Sequence, residues 1–68
     1  METGTVCGVR LDKGFFFVSV PGRSDVFAHC KELRGDLEFD EQLTGRRVQF
    51  DLVEGERGGR AFNIQAVE

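Results

Sequence analysis

The chain has 68 residues, 31% charged and 40% apolar, which allows one small domain with a modest core and argues against disorder. The formal net charge of −3 speaks weakly against a phosphate-binding role, because what matters is where the nine Lys and Arg fall, and seven of these are Arg. The longest apolar run, Phe15-Phe16-Phe17-Val18, is far too short to span a membrane, and Met1-Glu2-Thr3-Gly4 lacks the basic and apolar regions of a secretory leader, so the expected location is cytoplasmic.

Residues 4–10 alternate loosely, with Val6 and Val9 apolar and Thr5 and Arg10 polar, and predict a first strand. Leu11-Asp12-Lys13-Gly14 supplies turn chemistry. Residues 15–20 are aromatic and β-branched and predict a second strand, which Pro21-Gly22-Arg23-Ser24 ends. Residues 25–30 predict a short third strand, with Val26 and Ala28 on one face and Phe27 and His29 on the other.

Residues 31–45 show no clean period, and one helical turn near 31–34 followed by an irregular loop fits them. Residues 46–53 alternate, with Val48, Phe50 and Leu52 opposite Arg47, Gln49 and Asp51. Gly55-Glu56-Arg57-Gly58-Gly59 reads as a hairpin loop, and residues 60–67 as a last strand with Phe62, Ile64 and Ala66 on its inner face. Five short strands suggest a closed or partly closed small barrel, since closure removes exposed edges; an SH3-like barrel fits this strand count as well, and periodicity alone does not settle the architecture.

Cys7 and Cys30 are the only cysteines, His29 is the only histidine, and there is no Cys-x-x-Cys pair. No disulfide, metal site or cofactor is expected. Nor is a catalytic arrangement: the carboxylates form no recognisable acid–base pair, and strand alternation would send Cys30 to the face opposite His29.

The informative segment is Lys13-Gly14-Phe15-Phe16-Phe17-Val18. In a strand, Phe15 and Phe17 share one face and Phe16 takes the other, and a thin barrel covers only one face. Two outward rings form what base stacking requires, a contact worth about 1–3 kcal/mol per base. Taken alone, the segment fits a doubly buried apolar strand better. Phe27 and His29, sharing a face on the next strand, shift the balance toward a stacking platform.

These two segments resemble the paired ribonucleoprotein motifs of cold-shock domains. Lys13-Gly14-Phe15-Phe16-Phe17-Val18 resembles the first (Lys-Gly-Phe-Gly-Phe-Ile/Val), and Val26-Phe27-Ala28-His29-Cys30 the second (Val-Phe-Val-His-Phe), at matching separation. Gly4-Thr5-Val6 near the start, and Glu54-Gly55-Glu56-Arg57-Gly58 with Ala61 and Asn63 near the end, extend the likeness over nearly the whole chain. The resemblance implies an all-β, five-stranded antiparallel OB-fold barrel, one domain over residues 1–68, with single-stranded RNA or DNA as partner. By position, Phe15, Phe17, Phe27 and His29 match the family's stacking residues and Lys13 a basic residue beside the strand. Phe39 matches a further aromatic through the loop alignment, and Arg57 a basic or polar contact in the last hairpin.

The first strand departs from the family pattern Gly-x-Val-Lys-Trp-Phe-Asn. Gly8 stands at the Trp position, Cys7 at the Lys, and Cys30 at the Phe closing the second motif. Two absent platforms remove about 2–6 kcal/mol of binding free energy, so affinity weaker than a typical member's is expected, with Arg10 at the Asn position recovering a part. Phe16 for the motif glycine, Val9 for a larger Phe and Phe62 for a small residue read as exchanges within the core, Phe16 filling space beside Val9.

The expected function is low-specificity single-strand binding of the RNA-chaperone or regulator kind. A protein-interaction barrel using the exposed Phe patch is the alternative. A monomer is expected, with weak dimerisation as the variant.

Overall fold

The computed structural model describes residues 1–56 and 58–67. Five strands form: β1 (Glu2–Arg10), β2 (Phe15–Ser19), β3 (Val26–His29), β4 (Arg47–Gly55) and β5 (Gly58–Ala66). They close into a barrel in the order β1-β2-β3-β5-β4. Every pairing is antiparallel except the short one between β3 and β5. This is the OB-fold arrangement the motifs imply.

Alternation decides the interior. Val6, Phe16, Val18, Val26, Ala28, Val48, Phe50, Ala61 and Ile64 are all buried. Fully burying each of the larger ones stabilises the fold by about 1.5–3 kcal/mol. The aperiodic segment after β3 adds to the same core through Leu37 and Leu43, with Leu33 and Phe39 packed against it. Two single 3₁₀ turns organise that segment, Cys30–Glu32 and Glu41–Leu43; the first corresponds to the expected helical turn. Side chains start both: His29 Nδ1 accepts the Lys31 N–H at 3.1 Å, and Asp40 Oδ1 accepts the Gln42 N–H at 2.9 Å.

β1 begins two residues earlier than its sequence pattern suggests, because Glu2 and Thr3 pair with Phe50 and Gln49 of β4. Gly4 is buried where β1 crosses β2, and a Cβ there would lie 2.6 Å from Val18 Cγ1. Only a residue without a side chain lets the strands approach this closely.

Two bulges re-aim the outer surface. In β1 the register passes from Cys7↔Phe17 to Arg10↔Phe15, absorbing one extra residue, and Gly8 lies there at φ 57°. In β5 the register passes from Gln49↔Gln65 to Asp51↔Phe62, and Asn63 lies there at φ 52°. Asn63 is the only non-glycine residue with positive φ among the described residues. Asparagine tolerates this conformation when its amide finds local partners. Here Asn63 Nδ2 donates to Asp51 Oδ2 at 3.0 Å, and the Asn63 N–H donates to Glu32 Oε1 at 3.3 Å.

The second bulge overturns one expectation. Regular alternation would put Phe62 inside with Ile64; instead Ala61 and Ile64 are the buried pair, and half-buried Phe62 lies on the outer face. One extra residue shifts the side-chain phase by one, which exchanges the faces. Phe62 is therefore not part of the repacked interior. Phe16 is, at 0% exposure, and the aromatic ring beside it is Phe39, at 6.1 Å.

Candidate nucleic-acid interface

β2 and β3 place four side chains on one outward face. Phe15 pairs with His29 and Phe17 with Phe27 across the ladder, while Phe16 and Ala28 point inward. The Phe15 and Phe27 rings are 5.3 Å apart, Phe15 and Phe17 5.6 Å, and Phe17 and Phe27 6.0 Å. Phe17 meets each of the other two nearly edge-on, at 80° and 77°, while Phe15 and Phe27 tilt by 35°. These are ordinary aromatic-pair geometries. All four side chains are half-buried, so the rings support one another and still offer area to solvent.

His29 is oriented from below. Its Nδ1 accepts the Lys31 N–H, which assigns the proton of a neutral ring to Nε2 and leaves that edge as a donor. Cys30 opens a 3₁₀ turn instead of continuing β3, so it does not take the face opposite His29; its Sγ lies 3.8 Å from His29 Nδ1. That nitrogen is already occupied by a backbone donor, which works against its acting as a base toward the thiol.

Cations flank the rings. Arg10, exposed, pairs with Phe15 across β1, and Lys13, exposed, stands in the turn just before Phe15. Arg60 of β5 pairs with Phe27, its guanidinium carbon 5.4 Å from the centre of that ring and 5.9 Å from the centre of Phe62. Arg60 and Phe62 were not foreseen, although the sequence held a signal: the alternation that buries Phe62 would also bury the charge at Arg60.

Two sequence-predicted residues stand apart. Phe39 lies against Phe16 and packs on the core, so the structure does not bring it to the β2–β3 rings. Arg57 lies outside the described residues.

The acidic residues divide. Asp36, Glu38 and Asp40 border a separate depression with Arg46. Asp25 and Glu56 border the one shared by Phe17, Phe27 and Arg60. Cys7 Sγ approaches Asp25 Oδ2 at 3.9 Å; burial pushes the thiol pKa up and the carboxylate pushes it the same way, which keeps Cys7 protonated and poorly nucleophilic.

Residues 2–67 match the family model of the 'Cold-shock' DNA-binding domain. The chain belongs to the cold-shock domain family. It is 43% identical over 64 residues to the cold shock-like protein CspLB of Listeria monocytogenes serovar 1/2a, covering 94% of this chain and 96% of that one. It is 41% identical to the cold shock-like protein CspD of Bacillus cereus and 39% identical to the cold shock protein CspA of Staphylococcus aureus, with the same coverage. Among solved structures, Drosophila Unr CSD456 superposes with a TM-score of 0.77 at 23% identity, covering 98% of this chain and 26% of that one, a likeness of fold. Nucleic-acid binding is the function that family membership supports. Among the described residues, no helix is long and apolar enough to cross a membrane.

Within the cold-shock frame, the β1 departures acquire a geometry. Gly8 holds a left-handed conformation beside the platform, where a Cβ would lie 3.2 Å from Phe17 Cδ2. The position that carries Trp in the family motif is here a bulge glycine.

Proposed function

We propose that this domain binds single-stranded RNA or DNA with little sequence preference, in the manner of a cytoplasmic RNA chaperone or regulator, and more weakly than typical cold-shock proteins. It acts as a binding module and not as an enzyme. The observation that carries the reading is the outward cluster of Phe15, Phe17 and Phe27, with ring centres 5.3–6.0 Å apart and His29 on the same face. Every base has a π-face, so such a cluster holds a strand without reading it. Arg10 and Lys13, exposed beside Phe15, supply positive charge for the backbone phosphates of a stacked strand. Gly8 and Cys30 contribute no ring, which is why the affinity is low.

A titration with a short pyrimidine oligomer, followed residue by residue by NMR at low salt, tests this. Phe15, Phe17, Phe27 and His29 shift together and saturate, and affinity falls with added salt at about −0.7 per phosphate contact in a log–log plot. The absence of saturation at high micromolar protein overturns the reading. Broadening of the same residues with protein concentration alone would identify the patch as a protein contact.

A further inference from the structure

We propose that Arg60 and Phe62, together with Phe27, form an additional subsite on the β5 flank of the platform that takes one further nucleobase of the bound strand. This rests on the single-strand reading above and extends it by adding Arg60 and Phe62, which lie outside both ribonucleoprotein motifs, to the motif residue Phe27.

The subsite is a product of the bulge. Asn63 at φ 52° shifts the phase of β5 between Phe62 and Ile64, which puts Phe62, and with it Arg60 two residues before, on the outer face. β5 lies directly beside β3, and Phe27 pairs with Arg60, so Phe27 belongs to both the platform and the subsite. Phe27, His29, Lys31, Arg60 and Phe62 all border one depression, together with Glu32, whose carboxylate is engaged by Arg34 and the Asn63 N–H.

The chemistry fits a base with its phosphate. The Arg60 guanidinium is held against two rings, at 5.4 and 5.9 Å, while the residue as a whole is exposed. Among the described residues Arg60 forms no ion pair; the pairs present are Arg23 with Glu54 and Arg34 with Glu32. A planar cation fixed in this way offers an open face for stacking and spare N–H donors for a phosphate, and it loses little side-chain freedom on binding. Lys31, exposed on the same side, adds a second positive charge.

The test compares wild type with Phe62→Ala, Arg60→Lys and Arg60→Gln, using oligothymidylates of increasing length. Wild-type affinity rises by a further step once the oligomer is long enough to reach β5. Phe62→Ala and Arg60→Lys lose that step, roughly 5- to 150-fold, and bind the short oligomers as wild type does. Arg60→Lys keeps the salt slope, whereas Arg60→Gln lowers it by about 0.7. A merely structural role would lower affinity at every length together with the thermal midpoint, which is measured in parallel; should Phe62→Ala fail to fold, Arg60→Lys decides. Wild-type affinity for long oligomers in Arg60→Lys and Phe62→Ala overturns the subsite and leaves the single-strand reading standing. Failure of the wild type to bind any oligomer overturns both.

Discussion

Replacing Gly8 by Trp restores the residue that the family motif carries, and the structure gives that change two effects of opposite sign. Gly8 lies at φ 57°. An L-residue in that region costs about 1–2 kcal/mol. For a domain of this size each kcal/mol moves the thermal midpoint by about 4–8 °C, so Gly8→Trp lowers it by roughly 4–16 °C. The new Cβ starts 3.2 Å from Phe17 Cδ2, so Phe17 must yield by a few tenths of an ångström, and the indole then lies beside the platform. One more platform is worth about 1–3 kcal/mol, or roughly 5- to 150-fold in affinity for an oligomer that reaches it. Thermal melts by circular dichroism read the first effect, and anisotropy of a labelled pyrimidine oligomer the second. The chain has no Trp, so quenching of the new indole reports its contact directly. Gly8→Ala is the control, losing stability by a similar amount and gaining no affinity. A Gly8→Trp midpoint at or above wild type would refute the claim that glycine is required by the bulge. A lowered midpoint with unchanged affinity would refute the claim that the stacking surface ends at Phe17 for want of a ring.

Phe27→Ala removes the ring shared by Phe15, Phe17 and Arg60; affinity drops at least as far as one stacked base accounts for, about 1–3 kcal/mol, at every oligomer length, as read by the same anisotropy assay. Phe16→Ala empties a fully buried site and costs about 3–5 kcal/mol, most or all of what a barrel this small has, so urea melts show a low midpoint or no folded baseline. Arg23 bonds to Glu54 and lowers the pKa of its carboxyl from the ordinary value. A carboxyl depressed in the folded state gives stability that is present above its unfolded-state pKa and lost as pH falls through the folded-state value. Urea midpoints therefore decline on acidification across that window, and Glu54→Gln removes its share of the decline, a small one because Glu54 is exposed.

The parts legible in the sequence were those where side-chain alternation runs unbroken. In β2 and β3 nothing interrupts the period of two, so Phe15, Phe17, Phe27 and His29 could be put on one face and Phe16 on the other from spacing alone, and the pairing Phe15↔His29 and Phe17↔Phe27 follows. The same logic failed at Phe62, because Asn63 inserts a residue that spacing does not reveal. It failed in a smaller way at Cys30, where the chain leaves the strand and the thiol swings back toward His29. Leu33, Leu37, Phe39 and Leu43 showed no period because they belong to turns and loop, yet they pack on or complete the core. Placing Phe39 requires knowing where the loop runs, which is a tertiary fact.

The two bulges act on opposite flanks of the platform. β1 lies beside β2 and β5 beside β3, so the outer surface runs β1, β2, β3, β5. On the β1 flank, a left-handed residue is accommodated by dispensing with the side chain, and the ring of the family motif is lost at Gly8. On the β5 flank, the left-handed residue keeps its side chain because Asp51 and Glu32 satisfy Asn63, and the phase shift turns Phe62 outward beside Arg60. One device, a single inserted residue, removes aromatic surface at one edge and adds it at the other. The central rings are untouched by either change, since the Phe15, Phe17 and Phe27 contacts lie wholly within β2 and β3. On the subsite proposed above, a strand following the rings would leave the central cluster across β5, toward Phe62, while β1 offers only the charge of Arg10. Under that proposal, the divergence at Gly8, which by motif comparison looks like simple loss, is matched by aromatic surface gained at Phe62 on the opposite flank.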